Sequence, residues 1–147
     1  MAEPRVTTGT GTRVGPRKGD RLAHIIRVFV VEADSGLRQL LTTHLAVDGR
    51  FQIVGESEGG DDVLKVALAR APDAIILDYL AVNPMETIPA IKQSLPEVTL
   101  LCSSERNGHL QDQALQLGVD AFLMKERTLA DDIVAALVMH IPDVEWS

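Results

Sequence analysis

Short, mostly apolar runs alternate with longer amphipathic stretches along the chain from residue 25 onward. The apolar runs are rich in β-branched residues and end abruptly at polar ones, which is typical of strands buried on both faces of a parallel sheet. They predict five strands, at Val28–Val31, Phe51–Val54, Ala74–Leu77, Val98–Cys102 and Ala121–Met124.

The stretches between the predicted strands have the residue spacing of amphipathic helices. In the first of them Leu37, Leu41 and Leu45 recur at helical spacing after Ser35, a residue type that caps helices. Further helices are expected from Asp61 to Arg70, near 86–95, over Leu110–Leu117 and over Asp131–His140. Pro89 fits the third helix only if it lies in the first turn. Five strand–helix pairs in alternation predict an α/β fold, a doubly wound five-stranded parallel sheet.

The beginning of the chain differs in composition from the rest. Residues 1–24 are rich in Gly, Thr, Pro and Arg and have no periodicity, so they are predicted to be a flexible basic leader. The net charge of the whole chain is −7. Residues 1–27 carry a net charge of +4, so the remaining 120 residues carry −11. We therefore expect a leader at 1–24, one folded domain at 25–142 and a C-terminal tail at 143–147.

Charge and composition narrow the class of protein. An acidic domain repels nucleic-acid phosphates, so direct nucleic-acid binding by this domain is not expected. No apolar run approaches the roughly 18 residues of a membrane span, and no secretory signal is evident. Cys102 is the only cysteine, which fits a reducing compartment. A cytoplasmic location is therefore predicted.

Polar residues stand where the predicted strands end. Glu32, Asp78 and Lys125 each follow a strand directly, and Ser103 and Ser104 follow another. The carboxyl ends of parallel strands meet at one edge of an open sheet, where ligands bind at the switch in strand order. The sequence therefore predicts one crevice that contains two carboxylates, an ammonium group and a hydroxyl.

Four segments in this order carry a family resemblance: RVFVVEAD, PDAIILD, TLLCSSE and GVDAFLMK. Together they resemble the receiver domain of response regulators in two-component signal transduction, the chemotaxis-type (CheY-like) module, and especially receivers that precede a helix-turn-helix effector. The resemblance covers about residues 26–140. It implies a flavodoxin-like (βα)5 fold.

The resemblance also implies roles for individual residues. Asp78 is the implied phosphoacceptor, which forms an aspartyl phosphate, and Lys125 pairs with its carboxylate and later with the phosphoryl oxygens. A hydroxyl at Ser103 or Ser104 contacts the phosphoryl group. Counting back from Lys125 favours Ser103, and counting forward from Pro96 favours Ser104. Phe122 is the implied switch aromatic.

In the family, Mg²⁺ is held by the phosphoacceptor, an acidic pair after the first strand and a backbone carbonyl, here that of Leu80. The acidic pair aligns with Glu32 and Ala33, so one carboxylate is missing. Asp34 either replaces it, because alternate residues of a strand share a face, or points into solvent. The loop after Asp78 has gained one residue, which alters the placement of the Leu80 carbonyl. The predicted Mg²⁺ site is therefore weakened.

Two functions follow from this combination of matches and departures. In the first, the domain takes a phosphoryl group onto Asp78 from a histidine kinase or phosphotransfer protein and switches a protein-interaction surface at 107–140, which also serves a homodimer. In the second, it is a degenerate receiver that acts as a phosphorylation-independent interaction or dimerisation module. In both it is a signalling domain and not an enzyme, at most phosphorylating and dephosphorylating itself. The chain is then either self-standing or a truncated piece of a transcription factor.

Other classes fit less well. A flavin or small-molecule binder on this fold needs a glycine-rich or Ser/Thr-rich phosphate loop after the first strand, and none is present. A hydrolase of the haloacid-dehalogenase kind needs a second Asp two residues after the nucleophile, where Leu80 stands.

Overall fold

A computed structural model describes residues 25–105, 109–125, 129–142, 144 and 146. Five parallel strands form one sheet in the order β2-β1-β3-β4-β5. They are β1 (Ile26–Val31), β2 (Phe51–Ser57), β3 (Ala74–Asp78), β4 (Thr99–Ser104) and β5 (Ala121–Met124). The doubly wound five-stranded sheet predicted from the sequence is confirmed. The predicted leader at 1–24, and residues 143, 145 and 147 of the predicted tail, lie outside the described residues.

Helices connect the strands as crossovers. They are α1 (Ser35–Asp48), α2 (Val63–Arg70), α3 (Pro84–Ser94), α4 (His109–Leu117) and α5 (Leu129–His140), and a short 3-10 turn, Tyr79–Ala81, follows β3. In the part of the chain that the structure describes, no helix is both long and apolar enough to cross a membrane.

The sheet separates two apolar cores, because alternate residues of each strand point to opposite faces. On one face Val30, Ile76 and Leu101 pack against α1 and α5. On the other face Val31, Leu77 and Leu100 pack against residues of α2, α3 and α4. Strand order switches direction at β1, which is flanked by β2 on one side and β3 on the other. This switch creates a crevice at the carboxyl ends of β1 and β3.

Three local expectations were wrong. Asp34, and not Ser35, is the N-cap of α1, since its side chain accepts a hydrogen bond from the Leu37 N–H. Helix α3 begins at Pro84, so Pro89 is its sixth residue and lies beyond the first turn. The earlier start arises because proline suits the first helical position, where its missing N–H needs no partner. Finally, β4 continues through both Ser103 and Ser104.

Candidate functional site

An ion-pair cluster lies at the carboxyl edge of the sheet. The Lys125 Nζ lies 2.9 Å and 3.0 Å from the two Glu32 carboxylate oxygens and 3.1 Å from Asp78 Oδ2. The side chains are 10% (Lys125), 2% (Glu32) and 9% (Asp78) exposed. Lys125 is 93 positions from Glu32 in the sequence and 47 positions from Asp78. The fold nevertheless brings the three side chains together in one site that is nearly closed to solvent.

The pleat of the strands explains why these three side chains meet. Val30, Ile76 and Leu123 belong to the core formed with α1 and α5, and Glu32, Asp78 and Lys125 each stand two positions later. Residues two apart in a strand share a face. The ladder continues past the strand ends, because the N–H groups of Glu32 and Lys125 donate to the carbonyls of Ser57 and Ser104.

The loop between β1 and α1 supplies backbone donors to the cluster. The Ala33 N–H donates to Asp78 Oδ2 at 3.3 Å, and the Asp34 N–H donates to Glu32 Oε2 at 3.0 Å. The Arg38 guanidinium holds the other end of this loop segment by donating to the Glu32 carbonyl at 2.7 Å. The Asp34 side chain is exposed, and its Oδ1 accepts from Leu37. Ala33 thus contributes a backbone N–H to the cluster, and its side chain has no carboxylate.

Burial and charge set the electrostatics of the cluster. Burial raises the pKa of Glu32 above 4.5, and the hydrogen bonds from the Asp34 N–H and from the Lys125 ammonium group only partly offset this effect. The pKa of Lys125 is raised above 10.5, because hydrogen bonds to Glu32 and Asp78 outweigh the opposing effect of burial. Lys125 is therefore cationic at neutral pH and supplies the positive charge between the two carboxyl groups. Burial also raises the pKa of the Cys102 thiol, which stays protonated.

Strand register distinguishes the two serines. Ser103 lies opposite Asp78 on the neighbouring strand, so the two residues share a face of the sheet. Ser104 belongs to the other face, and its Oγ is buried without a hydrogen-bond partner among the described residues. Ser103 is thus the hydroxyl on the same face as the ion-pair cluster.

An aromatic contact on the opposite face was not anticipated from the sequence. The Phe122 ring, on β5, meets the Tyr79 ring edge-on, with centroids 6.1 Å apart and an interplanar angle of 73°. Tyr79 is fully buried, and its hydroxyl donates a hydrogen bond to Gln113 Oε1 on α4. The only sequence signal for this residue was an aromatic side chain directly after the strand-terminal Asp78.

The loop after Asp78 is anchored by the connection between β2 and α2. Leu80 lies in the 3-10 turn with its side chain exposed. The Gly60 N–H donates to the Ala81 carbonyl at 2.9 Å, and Gly59, at φ +114°, approaches the same carbonyl so closely that a Cβ would lie 2.2 Å from its oxygen. The backbone of this rebuilt loop is therefore fixed by the β2–α2 connection.

Sequence similarity to known proteins extends over about three quarters of the chain. No family model matches the sequence. The chain is 30% identical over 115 residues to the probable transcriptional regulatory protein NarL of Mycobacterium tuberculosis, covering 76% of this chain and 53% of that protein. It is 29% identical over 116 residues to the response regulator protein VraR of Staphylococcus saprophyticus, covering 76% of this chain and 54% of that protein. This chain has the receiver fold and is similar in sequence to response regulators.

Solved structures agree with this assignment. The signal receiver domain of the putative response regulator NarL from M. tuberculosis superimposes with a TM-score of 0.67 at 25% identity, covering 76% of this chain and 94% of that one. A LuxR-family DNA-binding response regulator from Staphylococcus aureus gives a TM-score of 0.71 at 20% identity, covering 78% and 98%, which shows the shared fold. The chain spans about half the length of the curated relatives NarL and VraR.

Receivers are signalling domains, and they also occur beside enzymatic domains. One relative is a protein-glutamate methylesterase/protein-glutamine glutaminase of Halalkalibacterium halodurans. It is 29% identical over 104 residues, and the match covers 68% of this chain and 30% of that protein. The family assignment therefore describes the domain, and the activity of any whole protein that contains it is a separate question.

Proposed function

We propose that this receiver accepts a phosphoryl group on Asp78 and thereby changes the surface formed by α4, β5 and α5. The observation that carries the proposal is the position of the Asp78 carboxylate, at the end of β3, 3.1 Å from a buried ammonium group and opposite Ser103. Phosphoryl transfer depends mainly on positioning and on neutralising charge at the phosphoryl oxygens. Lys125 and Ser103 supply a cation and a hydroxyl at this place.

The two oxygens of Asp78 have different surroundings, and this suggests their roles. Oδ2 accepts hydrogen bonds from Lys125 and from the Ala33 N–H. We assign the attack to Oδ1, which forms a bond to phosphorus while the phosphorus–nitrogen bond of a donor phosphohistidine breaks. The imidazole nitrogen keeps the electron pair and takes a proton from solvent. Lys125 then shifts its interaction from the carboxylate to the phosphoryl oxygens.

Mg²⁺ belongs to the proposed chemistry, with fewer protein ligands than receivers generally provide. Magnesium in proteins takes one or two carboxylates and completes its shell with water and phosphate oxygens. Glu32 and Asp78 provide two carboxylates, whereas Ala33 has none and Asp34 caps α1. Within the described ranges, no three His, Cys, Asp or Glu side chains are grouped so that they could hold a metal ion. The donor set fits a largely hydrated Mg²⁺ on Glu32 and Asp78, which would neutralise phosphoryl charge; a role for the Leu80 carbonyl remains a prediction.

Partners follow from the proposed reaction. The donor is a histidine kinase or phosphotransfer protein, and the output is a protein contact through α4, β5 and α5, including a homodimer. That surface corresponds to the predicted range 107–140, of which 107–108 and 126–128 lie outside the described residues. Direct nucleic-acid binding is assigned to a separate effector domain, since this domain is acidic. A cytoplasmic location fits a receiver for a kinase-derived phosphoryl group.

A second candidate is a receiver that works without phosphorylation. The observation in its favour is that Lys125 and the amides of Ala33 and Asp34 already satisfy the two carboxylates. A crevice whose charges are balanced internally stays folded without metal or phosphoryl group. In that case the α4–β5–α5 surface binds its partner constitutively.

Intact-mass measurement separates the two candidates. The protein is incubated with phosphoramidate or acetyl phosphate, with and without Mg²⁺, beside an Asp78→Asn variant and an Asp34→Asn control. A gain of one phosphoryl mass in the wild type and in Asp34→Asn, absent in Asp78→Asn, is expected. No gain in wild-type protein with intact circular dichroism would overturn phosphorylation and favour the constitutive module.

A further inference from the structure

One side chain connects the turn after Asp78 to two elements of the output surface. Tyr79 directly follows Asp78, and its ring is 1% exposed. Its hydroxyl donates to Gln113 on α4, and its ring meets Phe122 of β5 edge-on. The turn that carries Tyr79 is itself held at Ala81 by the Gly60 N–H. A shift at the Asp78 end of this turn therefore has a direct path to α4.

Helix α4 buries one residue completely and packs Leu110 and Leu117, which are partly buried, against the core. Ala114 is its one fully buried residue, whereas α3 buries both Ile88 and Ile91. Gln113 is exposed apart from its contact with the tyrosine. A buried phenol hydroxyl that loses its partner pays the full penalty of desolvation. The Tyr79–Gln113 bond is therefore a polar contact that fixes α4 in addition to its apolar packing.

We infer that the Tyr79–Gln113 hydrogen bond is a latch that holds α4 while Asp78 is unmodified and opens when the turn after Asp78 shifts. The part of the inference that concerns opening rests on the proposed phosphorylation of Asp78. The part that concerns holding rests only on the contacts of the unmodified protein. With the latch open, α4 samples positions in which its outer face differs, and a partner that prefers one of them shifts the population.

A double-mutant cycle tests the holding part in the unmodified full chain. Tyr79→Phe removes only the hydroxyl, Gln113→Leu removes its acceptor, and Gln116→Leu alters an exposed glutamine of the same helix as a control. The readout is amide hydrogen exchange in α4, with circular dichroism to verify folding. Each latch variant is expected to accelerate exchange about fivefold, the effect of one net hydrogen bond. The double variant should exchange no faster than either single one.

Two results would overturn the latch. One is α4 exchange in Tyr79→Phe that equals that of the wild type and of Gln116→Leu. The other is a double variant whose effect is the product of the two single effects, because independent contributions multiply.

The opening part is measured on phosphorylated protein, with label verified by intact mass. Phosphorylated wild type should exchange in α4 as fast as Tyr79→Phe, and Tyr79→Phe should change little on labelling. A labelled wild type whose α4 stays protected contradicts the opening. Absence of label in both proteins contradicts the proposed function instead, and the cycle on unmodified protein still decides the holding part.

Discussion

On one side of the crevice, Asp78, Ser103 and Lys125 are positioned by the hydrogen-bonding ladder of β3, β4 and β5. On the other side, Glu32 directly follows β1 and also continues its ladder with β2, but Ala33 and Asp34 lie in the loop that leads to α1. We call these the ladder side and the loop side. The ladder side has the residue types that the proposed phosphoryl transfer uses, whereas on the loop side Ala33 has no carboxylate and the contacts to Glu32 and Asp78 come from backbone N–H groups.

The two sides also differ in the charge of the groups that they supply to the carboxylates of Glu32 and Asp78. The ladder side supplies the only cation in contact with both carboxylates among the described residues. The loop side supplies neutral donors, which need no metal to offset repulsion. Perturbing the ladder side should therefore affect stability and chemistry strongly. Perturbing the loop side should change mainly the Mg²⁺ concentration that phosphorylation requires.

The largest effect is expected from Lys125→Met. This change leaves the carboxylates of Glu32 and Asp78 buried without their shared cation, and removing one partner of a buried ion pair costs about 3 kcal/mol of unfolding free energy. Urea unfolding measures it, with the exposed Lys65→Met as control. Adding Asp78→Asn should restore part of the loss. If Lys125→Met costs no more than Lys65→Met, the ladder side does not hold the cluster together.

A smaller effect is expected from Glu32→Gln, and it depends on pH. Because burial raises the pKa of Glu32 above 4.5, the folded state binds this proton more tightly than the unfolded state does. The stabilisation is complete below pH 4.5 and is lost as pH rises through the folded-state pKa. Each unit of pKa difference is worth about 1.4 kcal/mol. Unfolding midpoints from pH 4 to 8 should therefore decline less steeply in Glu32→Gln than in wild type or in the exposed control Glu86→Gln. Parallel curves for all three would refute the assignment.

The smallest effects distinguish the two serines. Ser104→Ala removes a buried hydroxyl that has no partner within the described structure and should raise unfolding free energy by up to about 1 kcal/mol. Ser103→Ala should leave stability nearly unchanged and slow the gain of phosphoryl mass. Thermal unfolding measures the stability of both serine variants, and mass spectrometry measures how fast each gains phosphoryl mass. The opposite pattern would assign the phosphoryl contact to Ser104.

The sequence predicted the sheet because its strands are buried on both faces and therefore appear as apolar runs such as Ile75–Leu77. It also predicted that Glu32, Asp78 and Lys125 lie at one edge, because parallel strands end together. It could not decide between Ser103 and Ser104, since the answer depends on strand register and on β4 continuing through both serines.

The choice of helix cap and the contacts of Tyr79 could not be predicted from the sequence. Asp34 and Ser35 are both good helix caps, and only the backbone geometry shows that Asp34 takes that role, with its carboxylate accepting from the Leu37 N–H. The Tyr79–Gln113 bond joins residues 34 positions apart on a loop and a helix. No periodicity in the sequence encodes such a contact.

The most direct test of the account is the Mg²⁺ dependence of phosphorylation in wild type, in Ala33→Asp and in the control Asp34→Asn. We predict phosphoryl gain on Asp78 in all three. Because metal affinity follows the number of charged ligands, we predict that Ala33→Asp needs roughly tenfold less Mg²⁺ for half-maximal rate than the other two. Equal Mg²⁺ demand in wild type and Ala33→Asp, or no phosphoryl gain in wild type at saturating Mg²⁺, would contradict it.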